Sequence, residues 1–367
     1  MATAIERLGL RATYGLRQGP RVAWYLAHGF AMGRLRQYAE ERHPEAARKR
    51  SKARPTRPTP DRDRLWRDLG QLFARDLANV EAGVYPLPND HDGSLPERLD
   101  RSRTFFLDLP QIFERRKNEA HQEVFSEAFR DRFPRYYLQN FHYQSGGYLS
   151  EDSARIYDLQ VEVLFNGTAN AMRRQALVPI HAALKGRDQR KVALADVACG
   201  TGRFLRALTD AFPGIRATGI DLSETYIGEA RHHLRRRGRT KLMVANAEAL
   251  PLADASQDVA TTIFLYHELP PKVRRIVAGE FARVLKPGGL LVFMDSLQLG
   301  DVEDYDGLLE MFPSGFHEPY YESYTREDLT ELFGDAGFEP VSNETAFVSK
   351  VMAFRKRAMP TTRGGRR

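Results

Sequence analysis

Cysteine is nearly absent from this chain of 367 residues: Cys199 stands alone. No disulfide can form within one chain, and a cysteine-ligated zinc centre is excluded. Such usage fits a reducing cytoplasm. Long apolar runs are missing too. The best stretch, 22–33, holds His28 and two glycines and is flanked by Arg21 and Arg34. It falls short of the ~18 apolar residues a bilayer span needs, and its order does not fit a cleaved leader. No metal-ligand spacing such as His-Glu-x-x-His occurs, so no metal is expected. No internal repeat is visible.

What is present is ordinary in amount and uneven in placement. Apolar residues make up 42%, as in most globular proteins. The net charge of +7 is concentrated at the ends. Residues 1–60 carry 13 Lys/Arg against 4 Asp/Glu, and 355–367 carry 6 Lys/Arg and no acid, which leaves the remainder at −8. An enzyme acting on nucleic acid would carry its positive charge around the active site. Basic ends read instead as solvated tails, or as contacts with an anionic surface such as a phospholipid membrane.

The chain divides by pattern. Residues 5–41 read as an amphipathic helix broken at Gly19-Pro20, and 48–60 as a charged, proline-rich linker. That linker has too little apolar surface to offset its ordering entropy. Residues 1–60 therefore read as a basic arm and linker. Residues 61–186 read as a mainly helical extension, opening with Leu65, Trp66, Leu69, Leu72, Phe73, Leu77 and Val80 at helical spacing. From 187 the period changes. β-like runs at 192–197, 216–221, 242–245, 259–265 and 290–294 alternate with helical stretches at 204–211, 224–236 and 273–285. This alternation predicts an α/β fold with a doubly wound parallel sheet. Runs at 338–347 and 349–354 predict a closing antiparallel hairpin, with 358–367 left as a basic tail.

The chemistry concentrates at the ends of the strand-like runs. Asp196-Val197-Ala198-Cys199-Gly200-Thr201-Gly202 is a buried strand, a small-residue turn and the start of a helix. Glycines there let a ligand approach the backbone, and the helix N-terminus offers free N–H groups. A dinucleotide fingerprint needs a glycine at 205, where Leu205 stands, and a P-loop lysine is absent. The ligand expected is one with a carboxylate and no phosphates. Asp221, ending the next run, is placed to accept from a ribose diol; Ser223 is the more natural cap of the following helix.

These segments, with Ala245-Asn246-Ala247-Glu248-Ala249-Leu250-Pro251, Asp258 to Pro270 and Leu285-Lys286-Pro287-Gly288-Gly289, resemble in order and spacing the motifs of class I S-adenosylmethionine-dependent methyltransferases. They cover less than half of the chain. Ala198 stands where that family's first motif glycine is usual, and Asn246 where Asp is common. The resemblance implies a Rossmann-like doubly wound sheet and S-adenosyl-L-methionine as cofactor. It implies that Asp196 sits near the methionine ammonium and that Ala198, Gly200 and Gly202 line the cofactor. Asp221 then meets the ribose, Asn246 and Ala247 meet the adenine, and Leu222 and Phe264 also bind the cofactor. Asn246 also reads as a plain turn residue.

The segment after the fourth strand faces the transferring methyl in that family, which nominates His267 or Glu268 as a base. Structural roles at the strand end remain open for both. Two aromatic segments, 140–148 with Tyr157, and 312–324, are expected to close the pocket together, not either alone. They offer Tyr148 and Tyr157 on one side, and His317, Tyr321 and Glu318 on the other, with Glu318 a second catalytic candidate. An aromatic core under loops is the alternative. Leu269-Pro270-Pro271-Lys272 lacks the acidic or amide start and the aromatic of base-amino methyltransferases, and Cys199 is committed to the turn. A small, aromatic or lipophilic acceptor of a C- or O-methyl transfer is therefore expected, with no nucleic acid partner. A protein or RNA methyltransferase and a non-catalytic binding module are the alternatives.

Overall fold

The computed structural model describes residues 4–42, 54–90, 92–235 and 237–358. Part of the expected linker and all but the first residue of the basic tail lie outside these.

Seven strands form one sheet: β1 (Ala193–Val197), β2 (Arg216–Asp221), β3 (Thr240–Val244), β4 (Gln257–Ile263), β5 (Leu285–Ser296), β6 (Phe338–Ala346) and β7 (Ser349–Lys356), in the order β3-β2-β1-β4-β5-β7-β6. The first five are parallel and β7 runs antiparallel between β5 and β6. The central strands are covered on both faces, so burial in β1, β4 and the second half of β5 is nearly continuous instead of alternating. Helices Arg203–Ala211, Glu224–Leu234 and Pro271–Val284 supply the crossovers. The strand order reverses between β1 and β4, and a crevice opens at their carboxyl ends. One boundary differs from expectation. The Lys286-Pro287-Gly288-Gly289 segment lies inside β5, as an excursion across which the pairing jumps from Gln257↔Leu285 to Val259↔Leu290.

The N-terminal arm is a larger correction. Ala4–Arg42 is one continuous helix that carries Pro20 inside it. The proline costs the helix a hydrogen bond, and side-chain anchoring on both sides of it offsets that loss. Tyr14 and Tyr25 are buried, and the Tyr14 hydroxyl donates to Asp76 at 2.6 Å. Arg21 pairs with Asp92 at 2.8 Å and with Glu162. Arg174 pairs with Asp76 and Asp90 at 2.7 and 2.6 Å. Arg203, just past the glycine turn, pairs with Asp158 at 2.6 Å. This buried ionic network links the first helix, the helical extension and the first turn after β1, so the arm is docked. The end of the expected linker is docked as well: Thr56 N–H and Oγ1 both donate to Glu310 at 2.7 Å, and Gly307 N–H donates to Pro58 O at 2.7 Å. Among the described residues, no helix is long and apolar enough to cross a membrane.

Candidate active site

Backbone geometry after β1 makes the floor of the crevice. Ala198, Gly200 and Gly202 all have φ in the left-handed region, at +59°, +52° and +79°. A Cβ on Gly200 would meet nothing within 4 Å, so this turn opens on free space, whereas one on Gly202 would press on Ala230 and Leu234 at 3.2 and 3.1 Å. Gly202 therefore serves helix packing and does not line the crevice. Asp221 Oδ2 accepts from Gly200 N–H and Oδ1 from Ser223 N–H, each at 2.8 Å. These bonds lock the carboxylate against the turn and leave further lone pairs for a ligand. Asp196 is buried; Oδ1 accepts from Thr261 Oγ1 at 2.7 Å while Oδ2 has no partner. Burial pushes this carboxyl up to about 7.

The cleft is lined by Ala198, Gly200, Asp221, Leu222, Asn246, Ala247 and Phe264, and continues to Glu268, Tyr148 and Tyr157. Asn246 is less available than expected. Its Oδ1 accepts from Glu248 N–H at 2.9 Å and its Nδ2 donates to Glu248 Oε1 at 3.1 Å, which makes a local turn. Phe264 stacks on Phe165 with centroids 5.8 Å apart, joining the strand end to the helical extension.

Tyrosines roof the other end. Tyr148 stacks on Phe141 at 5.5 Å, and Tyr148, Tyr157 and Tyr226 meet edge to face. Tyr136 and Tyr137 complete this wall, and the buried Tyr137 hydroxyl has no partner. Tyr136, Tyr137 and Tyr226 escape the sequence reading, although the first two lie in the aromatic stretch before Gly146; Phe141 falls within the expected closing segment 140–148. The Tyr148 hydroxyl donates to Glu268 Oε1 at 2.5 Å, and burial raises the Glu268 carboxyl to about 7.

His267, Glu318, His317 and Tyr321 do not line this cleft. His267 lies behind Glu268, its Nδ1 2.5 Å from Asp295 Oδ1. The Asp295 carboxylate holds it protonated up to about 9 against the opposing effect of burial. An imidazolium with one nitrogen so engaged is a poor first choice as base. Asp295, at the carboxyl end of β5, was another omission; its place at a strand end was the available signal. Tyr321 bonds Ser296 Oγ at 2.6 Å. His317 stacks on His121 at 4.0 Å, with Nε2 2.7 Å from Gln139 Oε1. The downstream segment thus buttresses the upstream roof from behind, and the upstream one alone closes the cleft.

The residues present fit S-adenosylmethionine: an acid with free lone pairs on the glycine turn, an apolar wall beyond, and an unpartnered carboxylate oxygen on Asp196, which adjoins the lining residue Val197 but is not itself in the lining. Residues 194–289 match the family described as "Methyltransferase domain". A ubiquinone biosynthesis O-methyltransferase of Methylococcus capsulatus is 32% identical over 193 residues, covering 50% of this chain and 76% of that protein. A ubiquinone/menaquinone biosynthesis C-methyltransferase of Methylobacterium nodulans is 33% identical over 162 residues, 43% of this chain and 62% of that one. Among solved structures, an S-adenosylmethionine-dependent methyltransferase of Methanosarcina mazei aligns over 49% of this chain and 98% of its own, at 25% identity and a TM-score of 0.40. The chain belongs to the class I S-adenosylmethionine-dependent methyltransferases, and S-adenosylmethionine is its cofactor. It spans 57% to 62% of the length of the first curated relatives it matches.

Proposed function

We propose that the protein is an enzyme that transfers a methyl group from S-adenosylmethionine to carbon or oxygen of a small aromatic or lipophilic acceptor. The observation that carries this is the continuity of one cleft from the Gly200–Asp221 floor to a wall of tyrosines. The cofactor supplies an already activated methyl, so the chain's task is to hold the acceptor in line and exclude water. Asp221 holds the ribose, Asp196 faces the ammonium, and Ala247 with Leu222 borders the adenine. Tyr148, Tyr157 and Phe141 clamp a flat acceptor, and Glu268 meets its polar group. The relatives' names, ubiquinone and menaquinone methyltransferases, favour the same acceptor class. Calorimetry with S-adenosylhomocysteine should give one site per chain, and methyl transfer should appear with a panel of hydroquinones and phenols. Binding without transfer to any of them would leave a binding module; transfer to RNA or protein alone would reject the acceptor class.

A cytoplasmic location with the first helix resting on a membrane surface is a second reading. Ile5, Leu8, Leu16 and Phe30 project from the helix, at 84%, 69%, 76% and 72% exposure, on the side away from Tyr14 and Tyr25. Association with anionic vesicles that weakens with salt would support it; no association would leave a docked structural helix.

A further inference from the structure

Three residues far apart in sequence converge behind the acceptor end of the cleft. Among the described residues, His142, Glu268 and Glu318 each bring one ligand atom to within 4.8 Å of the others. Glu318 is 3% exposed, and neither of its carboxylate oxygens has a hydrogen-bond partner. Oε1 lies 3.0 Å from His142 Nε2, out of hydrogen-bond alignment, and Oε2 meets no donor. A buried carboxylate left this way is costly unless a cation or a proton completes it; the nearby His267 imidazolium offsets part of that cost but donates no hydrogen bond to it. His142 is aimed at it by the backbone: His142 and Tyr143 are consecutive non-glycine residues at φ of +55° and +57°. Phe312 and Phe316 pack edge-on against the His142 ring at 6.3 and 5.6 Å and fix its plane.

We infer that His142 Nε2, Glu268 and Glu318 form a binding site for one first-row divalent metal ion at the acceptor end of the cleft. Ligands ~2.1 Å from a tetrahedral ion stand ~3.4 Å apart, so pairs at the 4.8 Å limit must draw in by up to ~1.4 Å, a movement that side-chain rotation supplies. One imidazole and two carboxylates suit Zn²⁺, Mn²⁺ or Fe²⁺. Three protein ligands leave positions open, and Glu268 lines the cleft, so an open position faces the acceptor. The ion would hold an acceptor oxygen, which narrows the substrate class to acceptors bearing a hydroxyl, carbonyl or carboxylate. That placement rests on the methyl-transfer reading; binding of the ion does not. Because the ligands come from the roof segment, the turn after β4 and the downstream segment, the ion would also tie the two aromatic segments to the sheet.

The test uses the full chain stripped with a chelator and titrated with Mn²⁺ by electron paramagnetic resonance and with Zn²⁺ by calorimetry, without cofactor or acceptor. One equivalent per chain is expected, with a bound-Mn²⁺ signal. Glu318→Gln and His142→Ala should each weaken binding at least ~10-fold, the scale seen when metal-site groups are removed. Affinity for S-adenosylhomocysteine, measured in parallel, should stay within about twofold in both. A wild-type chain that binds neither ion at one equivalent overturns the inference and leaves a protonated carboxyl pair. So does binding that His142→Ala, at a half-buried and readily replaced ring, leaves unchanged. Failure of S-adenosylhomocysteine binding alone would strike the functional reading and leave the metal site standing.

Discussion

At the cofactor end of the cleft the ligand-facing groups come from strand ends and backbone turns, whereas at the acceptor end they come from side chains on segments far apart in the chain. Ala198, Gly200 and Asp221 need only two adjacent parallel strands and one turn to reach their positions. Tyr148, Glu268, His142 and Glu318 need the helical extension folded over the sheet and the downstream segment packed behind it. Locally built sites tolerate change elsewhere; assembled ones depend on whatever holds the layers together.

The largest expected effect tests that dependence. Arg174→Ala leaves the buried Asp76 without its cationic partner and Asp90 with only Arg21 for a cation, at 3.7 Å. Breaking a buried pair this way should destabilise the chain by ~3–5 kcal/mol, read as a lowered midpoint in thermal unfolding. A midpoint unchanged from wild type would mean that the ionic network does not fasten the extension to the sheet.

Next comes Asp221→Ala. It removes the acceptor for Gly200 and Ser223 N–H groups as well as the ribose partner, and should weaken S-adenosylhomocysteine binding by ~1.5–3 kcal/mol. Calorimetry showing wild-type affinity would remove Asp221 from the ribose assignment.

The smallest effect concerns pH. Burial raises Asp196 to about 7, so the neutral acid dominates below that value and the carboxylate above it. A cationic ammonium binds the carboxylate better and pulls its titration down. Binding below pH 7 should therefore release a proton, and affinity should fall as pH drops from 8 to 6, by no more than ~10-fold per unit. Asp196→Asn should flatten that profile. A wild-type profile that is flat, measured in two buffers of different ionisation enthalpy, would separate Asp196 from the ammonium.

How much was legible follows from the same division. The order of strands and helices from 187 onward is written in short-range periodicity, and so were the turn at Gly200 and the strand-end acid Asp221. The first helix was misjudged because Gly19-Pro20 is a helix breaker by local rule, while the docking of Tyr14, Arg21 and Tyr25 is a tertiary event. His267 was over-read because a histidine at a strand end says nothing of what stands behind it; Asp295 does, 28 residues on. His317 and Tyr321 have suitable chemistry, but their side chains are used in fastening one segment to another.

By itself the sequence determined the doubly wound sheet, its cofactor turn and the family, since each of these needs residues within one strand–turn–helix unit and its nearest neighbour. Only the tertiary structure decided which aromatic segment closes the cleft, that the N-terminal helix belongs to the folded body, and that His142, Glu268 and Glu318 meet. Those outcomes depend on contacts between residues separated by 50 to more than 170 positions, and no local periodicity encodes which distant side chains share a buried space.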